Sequence, residues 1–234
     1  FWPADIQIVG KDILWFHSVI WPAILLSVGI KPPKTIFAHG WWTFNKEKIS
    51  KSRGKVINVE ELINIAGVDS ARYFLFRETT FGQDGDFSSE VLIERHNNEL
   101  ANKLGNLVSR TTTLAEKYNL TKTENKQLKK LKLKKIETHF QNYELDQALS
   151  EIFAFIDNCN EYTQNKKPWE TKDKKILYEL ADSIKAIAIL LSPFIPETSE
   201  KIAKQFNFKI TYDNINKPLK VTKIKKGEIL FKKI

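Results

Sequence analysis

The chain has 234 residues, of which 42% are hydrophobic and 28% are charged, so it can bury a sizeable core and wholesale disorder is excluded. Its 37 Lys and Arg against 28 Asp and Glu give a formal net charge of +9, which suits a polyanionic partner without proving one. The single cysteine, Cys159, excludes an internal disulfide and predicts a reducing, cytoplasmic location, and no apolar run reaches membrane-spanning length.

The first 87 residues alternate between strand and helix patterns. Ile6–Gly10 and Thr35–Gly40 are short apolar runs that each end at a glycine, which indicates two buried strands. Asp12 can cap the intervening helix, in which a kink or break is expected at Pro22. The order strand, helix, strand is typical of a parallel α/β sheet.

Polar and helical segments follow before the pattern changes. Residues 44–56 are rich in lysine and are typical of an exposed loop, whereas residues 59–78 return to helical periodicity. Gly82, Asp84 and Gly85 then break the pattern. We therefore predict a domain boundary after residue 87.

From Ser88 onward the sequence predicts an antiparallel helix bundle. Ser88 can cap a first long helix, and further helices are expected around residues 145–156, around residues 176–191 and from Pro196. In the tail, residues 208–234, lysines alternate with apolar residues, which predicts one or two exposed strands.

The most distinctive motif is a lysine and hydroxyl cluster, Lys48-Ile49-Ser50-Lys51-Ser52. A flexible cationic loop of this kind can wrap a triphosphate and neutralise the charge that builds on a leaving pyrophosphate. Taken alone, the motif favours a solvated polar loop, because five-residue motifs recur by chance.

Two features of the helical part could read nucleotide bases. Asn102, Asn106 and Arg110 recur every four residues and should form one polar stripe, with amides and a guanidinium suited to base edges. Pro168-Trp169, in a lysine-rich turn, could serve as a rigid platform on which a base stacks. Each feature taken alone is also typical of ordinary structure. The stripe could be a solvated helix face, and Trp169 could pack the turn against the core.

The lysine and hydroxyl cluster resembles the KMSKS signature of class I aminoacyl-tRNA synthetases, with Ile49 in place of the usual Met. Further segments upstream resemble the methionyl enzyme in type and order: Phe1–Asp5, Gly10–Ile13, Phe16–Pro22 and Phe37–Trp41. On these residues the chain is identified as a member of the methionyl-tRNA synthetase family, corresponding to the C-terminal half.

The resemblance implies a fold and a division into domains. Residues 1–87 would be the back half of a Rossmann-like nucleotide-binding fold that carries the KMSKS-like loop. Residues 88–207 would be an antiparallel helix-bundle anticodon-binding domain, and the tail, residues 208–234, would pack back on the catalytic side.

The resemblance also implies ATP-dependent attachment of methionine to the tRNA with the CAU anticodon, with Mg²⁺ accompanying ATP and no zinc in this segment. It assigns roles to residues by position, with Asp12 suited to a ribose hydroxyl and Lys51 to stabilising the transition state. The implied catalytic residues are Lys48, Ser50, Lys51 and Ser52, and the ATP-binding residues are Gly10, Asp12, Trp42 and Lys51. The implied methionine pocket is Ile13, His17 and Trp21, and the implied anticodon contacts are Asn102, Asn106, Arg110, Pro168 and Trp169.

The sequence lacks two features of the family pattern. It lacks the HIGH signature and the zinc-bearing insertion, so we expect a fragment that is inactive without an N-terminal half. Two alternatives stay open: a related class I synthetase of the leucyl, isoleucyl, valyl or cysteinyl type, and a non-catalytic tRNA-binding fragment or subunit of a split enzyme. An upstream reading frame that encodes HIGH and a Cys-rich insertion would separate these.

Overall fold

The computed structural model of the chain describes residues 1–44, 47–48, 59–80 and 82–234. The chain divides into two compact units, one formed by Phe1–Ile57 with Glu78–Ser88 and the other by Asn58–Arg77 with Ser89–Ile234. The first unit holds the strands and the second is built from helices. The predicted fold class, an α/β part followed by an all-α part, is confirmed.

Short strands organise the N-terminal unit: β1 (Gln7–Gly10), β2 (Ile36–His39), β3 (Trp42–Phe44), β4 (Glu47–Lys48) and β5 (Gly85–Phe87). β1 and β2 pair in parallel, with Gln7 opposite Ile36 and Gly10 opposite His39. β3 lies between β4 and β5, antiparallel to the first and parallel to the second. The two strands predicted from the sequence and their parallel pairing are confirmed. The prediction that both are buried is wrong, because Val9 is the only buried residue of β1 and β2 and Ile8 is 54% exposed.

The helix between β1 and β2 changes geometry along its length. It begins as a 3-10 turn at Lys11–Ile13, continues as a π-helical turn at Phe16–Ile20 and ends as α1 (Trp21–Ser27). Pro22 is the second residue of α1 and follows directly on the π-helical turn, so its missing N–H removes one donor from a continuous run of helical backbone. The interruption predicted at Pro22 is therefore found as a change from π to α geometry beside the proline.

The helical unit contains nine α-helices among the described residues: α2 (Val59–Ala66), α3 (Val68–Arg77), α4 (Ser89–Arg95), α5 (Asn106–Tyr118), α6 (Leu133–Gln141), α7 (Leu145–Lys166), α8 (Pro168–Thr171), α9 (Lys174–Leu191) and α10 (Pro196–Phe206). A π-helical segment, His96–Gly105, joins α4 to α5. α2 and α3 pack in this unit, although the predicted domain boundary after residue 87 would place residues 59–78 in the first domain. No helix of the described residues is long and apolar enough to cross a membrane.

α9 is the centre of the helical core. Every residue from Leu177 to Leu191 is buried, and the helix packs against α5, α7 and α10. The Asp173 carboxylate caps its first turn, because it accepts the N–H groups of Lys175 and Ile176 at 2.8 and 3.4 Å. Apolar side chains of this helix and its neighbours form one continuous core, which removes their surface from water.

The tail does not form the predicted strands. Residues 208–234, all of them described, contain only a 3-10 turn at Tyr212–Asn214 and otherwise irregular backbone. Side chains on the helices bind its carbonyl groups instead: the Tyr178 hydroxyl donates to Leu219 O at 2.7 Å and the Gln205 amide donates to Lys225 O at 2.8 Å. These hydrogen bonds satisfy part of the tail backbone, so the carbonyl groups concerned need no neighbouring strand.

Cys159 lies on α7 and is fully buried, and this burial raises the pKa of its thiol to about 12. The thiolate is the reactive form, so its population at pH 8 is lower by about a thousandfold than for an unshifted thiol. We expect the native chain to resist a disulfide reagent at pH 8 and to react with one equivalent after unfolding. Spectrophotometric thiol titration with and without denaturant checks this, and prompt labelling of the native chain would contradict it.

Candidate functional sites

The carboxyl ends of β1 and β2 lie side by side because the two strands are parallel and Gly10 is opposite His39. In open α/β sheets this end of the strands is where ligands bind. Asp12 is exposed, and its Oδ1 atom lies only 2.6 Å from the point that a Cβ on Gly10 would occupy. A side chain at position 10 would therefore displace the Asp12 carboxylate. The predicted ATP-binding residues Gly10 and Asp12 adjoin each other at the strand end.

The three predicted methionine-binding residues form one contiguous group. The ring nitrogen Nδ1 of His17 lies 2.9 Å from the carbonyl oxygen of Ile13. The His17 and Trp21 rings meet edge to face with their centroids 5.8 Å apart. Trp2, which is not among the predicted site residues, packs edge to face on Trp21 at 5.7 Å and donates its indole N–H to Lys31 O at 2.9 Å.

Trp42, another of the predicted ATP-binding residues, begins β3 and is half-buried. It pairs with Gly85 of β5, and a Cβ on Gly85 would lie 3.0 Å from the Trp42 ring. Glycine at position 85 therefore leaves room for the indole. The ring and the backbone of Trp42 are positioned by β5.

The predicted catalytic loop lies mostly outside the described residues. The backbone of Lys48 forms the end of β4, paired with Thr43 of β3. Ser50, Lys51 and Ser52 fall outside the part of the chain that the structure describes. Their catalytic and ATP-binding roles stay predictions.

The predicted anticodon stripe begins on the π-helical segment and continues on α5. Asn102 and Asn106 are exposed, Arg110 is half-buried, and Leu100 and Leu104 on the other side are fully buried. The predicted division into a polar and a buried face is confirmed.

Trp169 joins this stripe from a distant part of the chain. The Arg110 guanidinium carbon lies 4.9 Å from the centre of the Trp169 ring, a cation–π contact. Pro168 is buried and begins α8, whereas Trp169 is only half-buried. Lys167 and Lys172, both with positive φ, bound this one-turn helix. The structure thus brings Arg110 together with the Pro168-Trp169 pair, and the indole is not sealed in the core.

The π-helical segment affects where the stripe can lie. The Asn106 N–H reaches the carbonyl of Ala101, five residues earlier, so the helix carries one extra residue in this turn. Asn160 of α7 donates its amide to the carbonyl of Lys103 at 3.3 Å, and the Lys103 ammonium binds Asp157 at 2.8 Å. α7 therefore supports the irregular turn that carries Asn102 and Asn106.

Sequence reasoning missed several residues that support these positions. Asp84 was noted only as a chain-breaking residue, yet its carboxylate contacts both Lys11 and the backbone of Trp41. No local pattern marks Asp84 or Asn160, because their partners are 43 or more residues away in the sequence. Within the described ranges no group of three or more His, Cys, Asp or Glu side chains could hold a metal ion.

Comparison with known proteins covers nearly the whole chain. Residues 1–112 match the family described as tRNA synthetases class I (M), and residues 125–229 match the anticodon-binding domain of tRNA ligase. The chain is 40% identical to the methionine–tRNA ligase of Caldanaerobacter subterraneus subsp. tengcongensis, over 100% of this chain and 40% of that protein. It is 44% identical to the methionine–tRNA ligase of Rickettsia conorii, over 88% of this chain and 44% of that protein.

A solved structure has the same fold. Methionyl-tRNA synthetase of Mycobacterium tuberculosis, bound by methionyl-adenylate, superposes with a TM-score of 0.91 at 32% identity, over 99% of this chain and 50% of that one. The chain thus spans about half the length of the relatives that it matches, or less. With two matched family segments and this shared fold, the chain belongs to the methionyl-tRNA synthetase family and corresponds to its C-terminal half.

Proposed function

We propose that this chain is the tRNA-reading half of a methionine–tRNA ligase, which attaches methionine to its tRNA at the expense of ATP. The observation that carries the proposal is the match of the entire chain, through both units, to a methionine–tRNA ligase. A different class I synthetase would account less well for the resemblance to the methionyl type in residues 1–112.

In this proposal the N-terminal unit supplies half of the site for ATP and methionine. Gly10 and Asp12 would contact the adenosine, since they lie at the carboxyl, ligand-binding end of β1. The Trp42 backbone, which begins β3 three residues after the end of β2, would lie against the adenine. Ile13, His17 and Trp21 would line the methionine pocket. The two rings that meet there suit a thioether, because sulfur contacts aromatic edges favourably.

Lys48, Ser50, Lys51 and Ser52 would form the loop over the triphosphate, with Lys51 stabilising the charge of the transition state. Mg²⁺ would enter with the substrate ATP, because it usually binds through phosphates and water rather than through an all-protein cage.

The helical unit would bind the anticodon CAU of the tRNA. Asn102 and Asn106 present exposed amides, which can both donate to and accept from base edges. Beside Arg110, the half-buried indole of Trp169 offers a ring for base stacking, and a stacked base contributes about 1–3 kcal/mol. The net charge of +9 would add sequence-independent attraction to phosphates.

An N-terminal half of the synthetase is the further partner of this proposal. The stretch that follows β1 exposes large apolar side chains: Trp15, Phe16, Ile24, Leu26 and Val28 are each 56–65% exposed. Such a concentration of apolar surface favours a protein partner. The Caldanaerobacter relative carries 60% of its length outside the match, which provides a segment to cover this surface. A cytoplasmic location stays a prediction from the single cysteine.

The ligase proposal predicts that the chain alone does not form methionyl-adenylate, because half of the nucleotide site is missing. Methionine-dependent ATP–pyrophosphate exchange measures this reaction directly. We expect no exchange with the isolated chain, and exchange when the chain is assembled with the N-terminal half of the Caldanaerobacter relative. Exchange by the isolated chain would contradict the predicted inactivity. Inactivity of a folded assembly would favour the alternative, a non-catalytic tRNA-binding subunit.

A further inference from the structure

Lys11, Trp41 and Asp84 form a tight cluster at the carboxyl ends of β1 and β2. The Lys11 ammonium lies 2.6 Å from both carboxylate oxygens of Asp84 and 4.5 Å from the centre of a Trp41 ring. The Trp41 backbone N–H donates to Asp84 Oδ1 at 2.8 Å. One carboxylate therefore joins the segment that follows β1 to the segment that follows β2.

The backbone around Asp84 is itself held in place. The Gly85 N–H donates to the carbonyl of Trp41 at 2.8 Å, and the Thr79 hydroxyl donates to the carbonyl of Asp84 at 3.2 Å. A Cβ on Gly40 would lie only 2.0 Å from the carbonyl oxygen of Gln83, so the two backbones are in direct contact there. This packing fixes where the Asp84 side chain begins.

Lys11 is already engaged by this cluster. A lysine at the ligand-binding end of a parallel sheet would ordinarily be a candidate to bind a nucleotide phosphate. Here Asp84 accepts its ammonium through both oxygens, and the hydrogen bonds from Lys11 and the Trp41 N–H lower the pKa of Asp84. The carboxylate stays charged at neutral pH and neutralises Lys11. Lys11 is therefore held between the two strand ends by its ion pair with Asp84 and is not a free cation.

We propose that Asp84 is a positioning residue of the nucleotide site. Through Lys11 and the Trp41 N–H, it fixes the spacing between the Gly10–Asp12 turn and the Trp41–Trp42 backbone, the two segments that would contact adenosine. This inference rests on the proposed ligase function for its substrate, but the geometry of the cluster can be tested without it.

The first test measures the cluster in the complete chain, without substrate. Amide hydrogen exchange followed by NMR reports whether the Trp41 N–H is protected. Asp84→Ala removes the acceptor of the Trp41 N–H, so hydrogen exchange of this N–H should accelerate by about tenfold or more relative to the wild type. The control is Asp5→Ala, which removes another exposed Asp–Lys pair of the same unit, to Lys34 at 2.5 Å, at the amino end of the strands. Equal exchange in the wild type and Asp84→Ala would overturn the proposal.

The second test measures steady-state ATP–pyrophosphate exchange in the assembly with the N-terminal half of the Caldanaerobacter relative. Asp84→Ala should raise the KM for ATP about fivefold, while kcat and the KM for methionine stay within about twofold of their wild-type values. Asp84→Asn, which retains an acceptor for Trp41, should recover part of the loss. Asp5→Ala should leave all three constants unchanged. A uniform loss of kcat, or an unchanged KM for ATP, would overturn the positioning role.

The variants Lys11→Met and Asp84→Ala, made singly and together, distinguish two roles of Lys11: pairing with Asp84 to position the strand ends, or binding a phosphate of ATP. If the two residues act only through each other, the double variant should be no worse in KM for ATP than the more affected single variant. Multiplying effects would instead assign Lys11 to the phosphate and overturn the proposal. An inactive wild-type assembly would count against the ligase function, while hydrogen exchange would still decide whether Asp84 fixes Trp41.

Discussion

Replacing Asp182 with alanine is expected to lower the free energy of unfolding of the helical unit by about 3–5 kcal/mol. Asp182 and Lys185 form an ion pair at 2.8 Å on α9, and their side chains are only 3% and 2% exposed. The same carboxylate accepts the Leu219 N–H at 2.8 Å and the Asn125 side-chain amide at 3.0 Å. Removing it leaves a buried ammonium without its counter-ion and the Leu219 N–H without its acceptor, while the Asn125 amide keeps its hydrogen bonds to Glu179 O and Ser183 Oγ.

Chemical unfolding followed by circular dichroism measures this loss. The matched control is Asp157→Ala, which removes another Lys–Asp pair at 2.8 Å whose members, Lys103 and Asp157, are 38% and 50% exposed. Solvent screens that pair, so its loss should cost less than about 1 kcal/mol. Adding Lys185→Met to Asp182→Ala should recover part of the stability, because the buried charge is then gone. Equal losses for Asp182→Ala and Asp157→Ala would contradict this account of the core.

Replacing Trp169 with alanine is expected to weaken binding of the methionine tRNA by at least about tenfold, the equivalent of about 1.4 kcal/mol. The indole is half-buried, and the Arg110 guanidinium stacks on it at 4.9 Å. The substitution removes both the proposed stacking surface for a base and the ring that orients Arg110. Because phosphate contacts remain, the dependence of affinity on salt should not change.

Fluorescence titration of the chain with tRNA at fixed salt measures the effect. Trp169→Phe keeps an aromatic ring and should lose less affinity than Trp169→Ala. Tyr212→Ala removes another exposed aromatic side chain of the helical unit and should leave affinity unchanged. Thermal unfolding of each variant verifies that the bundle is intact. Unchanged affinity of a folded Trp169→Ala chain would exclude the proposed stacking role.

Periodicity predicted the helices that carry the core but not the irregular ones. α7 and α9 bury apolar residues at regular helical spacing, so their pattern is visible in the sequence. α6 buries only Ile136, and lysines close to this residue in the sequence obscure its helical pattern. The π-helical segment His96–Gly105 could not be predicted, because its apolar spacing fits an α-helix equally well.

The candidate sites likewise contain one feature that could be predicted from local spacing and contacts that could not. The polar stripe could be predicted from i, i+4 spacing. It is present in the fold because Leu100 and Leu104, on the other side of the helix, are buried. The contact between Arg110 and Trp169 joins α5 to α8 and depends on tertiary packing that no local pattern encodes. The ion pair between Lys11 and Asp84 spans 73 residues and was missed for the same reason. Residue roles taken from the family resemblance stay predictions until ligands are bound.

The most direct measurement of the central claim compares two tRNA transcripts that differ only in their three anticodon bases. Each is titrated against the wild-type chain at the same salt concentration, so that phosphate attraction is equal for both. If the helical unit reads the methionine anticodon, the transcript with CAU should bind at least about tenfold more tightly. Equal affinity for the two transcripts would contradict that claim.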